Sequence, residues 1–221
     1  MKKLAILVFP IFFLFACAAD PSIDNDPVEP IAEETPTSTV EKPEAEPVVP
    51  TETNLTQFFL TDGSSAQFLG DGNEYASYSL KTQWMNENYV STYEDNGGTV
   101  MQRIYRISSD NISLLAENGE AYDAQMPSLE ELEAMPEIGI YLSTPLEVGT
   151  EFNDWIITST SETVETPLQM FTDVIVIEKK EEQGNLNRKY FAKEFGEIKR
   201  EFIMHQGDQE IIISSTIEKV M

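Results

Sequence analysis

The chain holds one cysteine and one histidine in 221 residues. With Cys17 alone, an intrachain disulfide and a cysteine-based zinc site are excluded, and with His205 alone a histidine zinc site is excluded by count. Basic residues are scarce as well: 14 Lys and Arg stand against 39 Asp and Glu, a formal net charge of −25. A field of that sign repels nucleic-acid phosphates and anionic headgroups and attracts cations, so nucleic acid is set aside as a partner. Long apolar runs are missing too. The N-terminal one, Leu4 to Phe15, is broken by Pro10 and falls short of the roughly 20 residues a spanning helix needs. A folded domain of this composition must hold by burial alone.

What the N-terminus does contain is an address. Lys2 and Lys3 precede the apolar run, and Leu14-Phe15-Ala16-Cys17 closes it with a small residue before the cysteine, the layout of a secretory signal. The last four residues resemble the lipobox of bacterial lipoproteins, with Phe15 where such motifs usually carry a smaller residue. The resemblance implies cleavage ahead of Cys17 and its lipidation by diacylglyceryl and palmitate-type chains. It also implies tethering to the cell membrane on the extracytoplasmic face.

From residue 18 to residue 56 the composition changes. Seven of the twelve prolines lie there with ten acidic residues and one lysine, Lys42. Such a segment cannot bury enough apolar surface to offset the entropy of ordering, so it reads as a disordered, acidic, proline-rich stalk. In polyproline geometry at about 3.1 Å per residue it reaches on the order of 120 Å.

Residues 57–221 read as a single, mainly β domain, because hydrophobicity alternates with period two. Ala76, Tyr78, Leu80 and Trp84 fall on one face of a strand over Glu74–Trp84, with Ser77, Ser79, Lys81 and Gln83 on the other. Tyr89 and Tyr93 mark a second strand, Asp95-Asn96-Gly97-Gly98 a hairpin turn, and Val100–Ile107 and Ile112–Glu117 continue the meander. Ser128, three residues before Glu131, makes a capping box for one short helix ended by Pro136 and expected to pack on the sheet or plug one end of it. Strands resume at Ile138–Leu142 and Glu151–Thr158. The unbroken run Val174-Ile175-Val176-Ile177 predicts a strand covered on both faces. Leu186–Lys193, Ile198–His205 and Gln209–Glu218 complete the set as three antiparallel strands. The expected architecture is an antiparallel meander forming a curved sheet or half-barrel. Charge is uneven along it: residues 57–177 hold three basic and twenty acidic residues, and residues 178–221 hold eight and nine.

Gly72-Asn73-Glu74, Gly97-Gly98-Thr99, Pro145 through Thr150, and Tyr190 through Lys199 together resemble a group of uncharacterised lipoproteins of Gram-positive bacteria. More distantly, a curved antiparallel sheet with one helix is similar to the half-barrel of lipoprotein-carrier proteins, which implies a concave apolar cavity for acyl chains or peptides.

No residue pattern announces catalysis. His205 falls with Lys199 and Glu201 on a face that alternation assigns to solvent, and Ser214, His205 and Asp208 assemble into a triad only on paper, without a nucleophile elbow. Asp71-Gly72-Asn73-Glu74 and Asp95-Asn96-Gly97 offer oxygens but lack calcium-loop spacing, so turn chemistry explains them better. No catalytic residue, metal or cofactor is assigned. Tyr78, Trp84, Tyr89, Tyr105 and Trp155 are the candidate ligand-facing aromatics, although core packing explains most aromatics on strands equally well. The favoured function is a non-catalytic binding module for a lipid, a peptide or a cationic protein of the cell envelope. The alternatives are an envelope hydrolase using acidic residues, with two carboxylates converging in a cleft, and a purely structural surface protein.

Overall fold

A computed structural model of the chain describes residues 53–181, 184–207 and 209–221. The expected signal, Cys17 and residues 18–52 of the expected stalk lie outside these. Twelve strands are present among the described residues. They are β1 (Ser65–Asp71), β2 (Tyr78–Asn86), β3 (Tyr89–Asp95), β4 (Val100–Ile107), β5 (Asn111–Asn118), β6 (Gly139–Ser143), β7 (Glu151–Phe152), β8 (Trp155–Glu165), β9 (Met170–Lys180), β10 (Leu186–Ala192), β11 (Gly196–Gln206) and β12 (Gln209–Val220). A 3-10 turn, η1 (Leu55–Phe58), precedes them, and a helix, α1 (Leu129–Ala134), separates β5 from β6.

All strands join one antiparallel sheet in the order β6-β5-β4-β3-β2-β1-β12-β11-β10-β9-β8-β7. Every neighbour but one is a consecutive strand. The exception pairs β1 with β12, from Ala66 opposite Val220 to Asp71 opposite Ser214, which joins two six-strand meanders. The outer strands β6 and β7 are consecutive in sequence, and the amide of Ile140 donates to Asn153 Oδ1 at 2.8 Å across their seam. The sheet therefore curls into a nearly closed barrel, which removes most of the exposed edge that an open sheet presents. The mainly β, curved antiparallel expectation holds.

Several boundaries differ, each for a local reason. Residues 74–77 form a turn rather than the start of β2, because the Asn73 side chain accepts the Tyr75 amide at 2.7 Å and bends the chain. The expected strand over Glu151–Thr158 is two strands: Asn153 and Asp154 both take positive φ, 46° and 67°, the hairpin turn these residue types favour. β8 then runs on to Glu165, where polar and acidic residues had hidden it. The stalk was expected to extend to residue 56, yet Leu55 is 1 % exposed and Phe58 equally so. Asn54 caps η1 by accepting the Thr56 amide at 3.0 Å, so residues 54–56 belong to the fold.

The capping box forms as expected, with Ser128 and Glu131 bonded reciprocally, and Glu131 titrates below the usual carboxylate range because it accepts these Ser128 bonds. Of the two placements foreseen for α1, packing on the sheet is the one adopted. Leu132 sits with Tyr89, Ile104 and Leu115 on the outer face of β3, β4 and β5. The inner face of the same strands carries the next residues along, Val90, Tyr105 and Leu114, which join Leu55, Phe58, Ile157, Ile177 and Phe191 in the barrel core. It is η1 that plugs an end of the barrel. Gly196 makes this possible: its φ is +76°, and a Cβ there would lie 2.5 Å from the Phe58 carbonyl oxygen. Val174 to Ile177 are all buried, as expected of a strand covered on both sides.

Candidate functional site

Inside the barrel, beyond the η1 plug, lies a cavity of about 310 Å³. Its wall is mostly aromatic and aliphatic with six charged residues among them, and strand register explains which side chains meet there. Arg200 on β11 faces Lys189 on β10 and Ser215 on β12. Across the barrel, Arg103 on β4 pairs in register with Thr92 on β3 and with Glu117 on β5. Glu94 lies two residues from Thr92 and so shares its face.

Strict alternation would turn Glu197 outward, since Ile198 and Arg200 point in. A register shift between Tyr190 and Phe191 sets Glu197 opposite Phe191 instead. This bulge rotates the carboxylate into the barrel.

The resulting ion cluster is continuous. Arg200 meets Glu94 through two contacts, Nη1 to Oε1 at 3.1 Å and Nη2 to Oε2 at 3.0 Å, and its Nε donates to Glu197. Arg103 bridges Glu94 at 3.0 Å and Glu117 at 3.1 Å. Lys189 reaches Glu197 at 3.2 Å, and the Tyr141 hydroxyl lies 3.4 Å from the same carboxylate. Rings sheathe the cations: Lys189 Nζ stands 5.1 Å from the Tyr141 centroid and 5.4 Å from that of Trp155, and Arg200 stands 4.7 Å from Tyr78. These are cation–π distances.

Burial and charge set the protonation states. Burial alone would raise the Glu197 carboxyl, but Arg200 and Lys189 override it and hold the group down at about 2. Burial pushes Lys189 below the ordinary lysine range, with Glu197 opposing in part. Burial also raises Tyr105 to about 12 and lifts Tyr78 and Tyr141 well above the normal phenol range. The cavity therefore presents neutral phenols at Tyr78, Tyr105 and Tyr141 and an ionised carboxylate at Glu197 at neutral pH.

Tyr78, Glu94, Lys189 and Arg200 also line a second cavity of about 310 Å³, which runs on toward Tyr75, Phe202 and Ile213. The charged layer thus divides the interior into two compartments. A separate, mainly apolar groove of about 660 Å³ lies outside the plug against Phe59, Leu60, Trp84 and Phe195.

Of the five aromatics expected to face a ligand, Tyr78, Tyr105 and Trp155 line the interior cavity. Trp84 stands beside it, edge-on to Phe59 at 5.9 Å, and donates its indole N–H to the Leu60 carbonyl at 2.9 Å. Tyr89 is directed the other way, under α1. Cys17 lies outside the described residues. His205 is exposed and pairs in register with Glu210, whereas Ser214 pairs with Glu201. The acidic turns use their side-chain oxygens locally, Asp71 on the Gly72 amide, Asp95 on Gly97, and Asn96 on Gly98 and Thr99. Tyr141 belongs to the wider set of strand aromatics, whereas Glu94, Arg103, Lys189, Glu197 and Arg200 are not expected from the sequence. The one signal available was position: Arg103 and Arg200 are charged residues on strands whose neighbours at i±2, Met101 and Tyr105 and then Ile198 and Phe202, are apolar or aromatic.

No protein-family model matches the chain, and no curated protein matches it. Among solved structures, a chain from Bacteroides fragilis described as a "putative exported protein with YmcC-like fold" aligns at 15 % identity with a TM-score of 0.48. The match covers 74 % of this chain and 98 % of that one.

Proposed function

We propose that the protein is an extracytoplasmic binding module, tethered to the cell membrane through lipidated Cys17, whose barrel interior holds a small ligand. The observation that carries this is the cavity of about 310 Å³, walled by Tyr78, Tyr105, Tyr141 and Trp155 and by a pre-set ion cluster. Pockets for small molecules pair an apolar wall with a few fixed polar groups and start near this size. The interior is not the continuous apolar groove that a long acyl chain requires, since the charged layer interrupts it. A folded cationic protein is too large for it.

The arrangement counts against the hydrolase alternative. A glycosidase acid needs a raised carboxyl pKa, whereas Glu197 is held at about 2, and Glu94 and Glu197 both bind Arg200. Native mass spectrometry of the full chain, released gently from membranes, tests the proposal by seeking a retained small species. A chain that is ligand-free however it is prepared, and that binds no small amphiphile or peptide in calorimetry, would refute it. For the anchor, Cys17→Ala is expected to move the protein from the membrane to the soluble fraction.

A further inference from the structure

We infer that the interior cavity selects a carboxylate carried on a small apolar body, with its head on Lys189 and its body among the aromatic rings. This rests on the binding reading above and specifies its ligand.

The first ground is charge. Only 14 of 221 residues are Lys or Arg, yet Arg103, Lys189 and Arg200 converge on this one cavity. Two buried carboxylates accompany them, Glu94 with 13 % and Glu197 with 7 % of the side chain exposed. The third, Glu117, is 43 % exposed at the rim, where water screens it. The cluster thus carries three cations and three anions, but its two inner carboxylates are shared, Glu94 between Arg103 and Arg200 and Glu197 between Arg200 and Lys189. A half-buried cation that has only a shared carboxylate is incompletely met, and an arriving anion supplies a further partner.

The second ground is how each cation is paired. Arg200 has both buried carboxylates, and Arg103 has Glu94 and Glu117. Lys189 has Glu197 alone, shared with Arg200. An ammonium carries three donors, so Lys189 can donate to another oxygen. The phenol of Tyr105, kept protonated by burial, adds a donor on the same wall. Carboxylates, with no donor of their own, complement such a lining, while an ammonium ligand would find Glu94 and Glu197 each already held by two cations.

The third ground is size and polarity. Phe59, Leu80, Leu114, Ile140, Trp155 and Ile177 supply the apolar wall, and 310 Å³ corresponds to about ten water-sized groups. Two sources share this chemistry: a fatty acid of roughly eight carbons and the C-terminal residues of a peptide.

The test is calorimetric titration of the full-length chain with octanoate, octanol and octyltrimethylammonium, and with Leu-Phe against its C-terminal amide. Octanoate is expected to bind at least tenfold tighter than octanol, with the ammonium weakest. If the free dipeptide but not its amide binds instead, the source is a peptide end. Lys189→Met, which keeps the apolar stem, should retain octanol binding and lose the preference for the acid. In the unaltered protein the preference should vanish as pH falls through the ligand's own carboxyl range, about 4 to 5, a readout that needs no variant. Equal binding of octanoate and octanol, or a preference that survives Lys189→Met, would overturn the head-group assignment and leave the binding module standing. Failure of every probe, neutral ones included, would remove the small-ligand reading as well.

Discussion

Arg200 and Glu94, 106 residues apart in the chain, face each other across the barrel in a two-point contact at 3.1 and 3.0 Å. This pair ties β11 of one meander to β3 of the other, through the interior and away from the hydrogen-bonded seam. It is also the only contact between the Glu197–Lys189 side of the cluster and the Arg103–Glu117 side among the ion pairs of the described residues.

Glu94→Gln should therefore cost about 2 kcal/mol, since Arg200 and Arg103 each lose a charged hydrogen-bond partner while keeping Glu197 and Glu117. The double variant Glu94→Leu with Arg200→Met should be far less destabilised than the sum of the two single changes. It leaves Arg103 with Glu117 and Lys189 with Glu197 as two balanced pairs. Urea unfolding of the four proteins in a double-mutant cycle measures the coupling, and additive losses would show that the cross-barrel contact contributes nothing of its own.

The Glu197 carboxyl is depressed from an unfolded value near 4.5 to about 2. A depressed acid stabilises the fold above its unfolded pKa and loses that contribution as pH falls through the folded value. Its share, about 3 kcal/mol, should be complete above pH 4.5 and disappear toward pH 2. Glu197→Gln is expected to be less stable than the parent at pH 7 and close to it at pH 2.5, as read by denaturant midpoints at the two pH values.

Ser91 on β3 is fully buried, and its hydroxyl finds no hydrogen-bond partner. It pairs in register with Ile104, on the outer face that α1 covers. An unmet buried hydroxyl costs about 1 to 3 kcal/mol, so Ser91→Ala should raise the thermal midpoint by a few degrees. A drop would mean that the hydroxyl has a partner such as an ordered water.

Gly196→Ala tests the plug. A non-glycine residue at a φ of +76° costs about 1–2 kcal/mol, and the added methyl drives against the Phe58 carbonyl. A loss of at least about 2 kcal/mol in chemical unfolding is expected. Gly97→Ala, also at positive φ but with open space around it, serves as the comparison and should lose only the backbone part.

How much of this was legible in the sequence depends on distance along the chain. The strands of β2, β4 and β9 and the capping box of α1 were readable, because alternation and caps act between residues a few positions apart. Trp155 and Tyr105 were readable as candidates because large rings on strands point one way or the other. Tyr89 was taken with them and turned out beneath α1, since the register of the β2–β3 hairpin sets Val90, not Tyr89, opposite Trp84. Glu197 was invisible because a bulge, not alternation, points it inward. The ion cluster was invisible because its partners come from β3, β4, β5, β10 and β11, and no local pattern says which charged residues the closure of a sheet will bring together.

The position of η1 has a mechanical consequence. It is the first element after residue 53, so any pull transmitted from the N-terminal side enters the fold at Asn54 and loads η1 before it loads a strand. What resists is the burial of Leu55 and Phe58 and the hydrogen bond from the Glu194 amide to the Gln57 carbonyl at 2.6 Å. Phe58 and Phe59 also wall the cavity, so the turn that takes the load is the same one that closes the chamber.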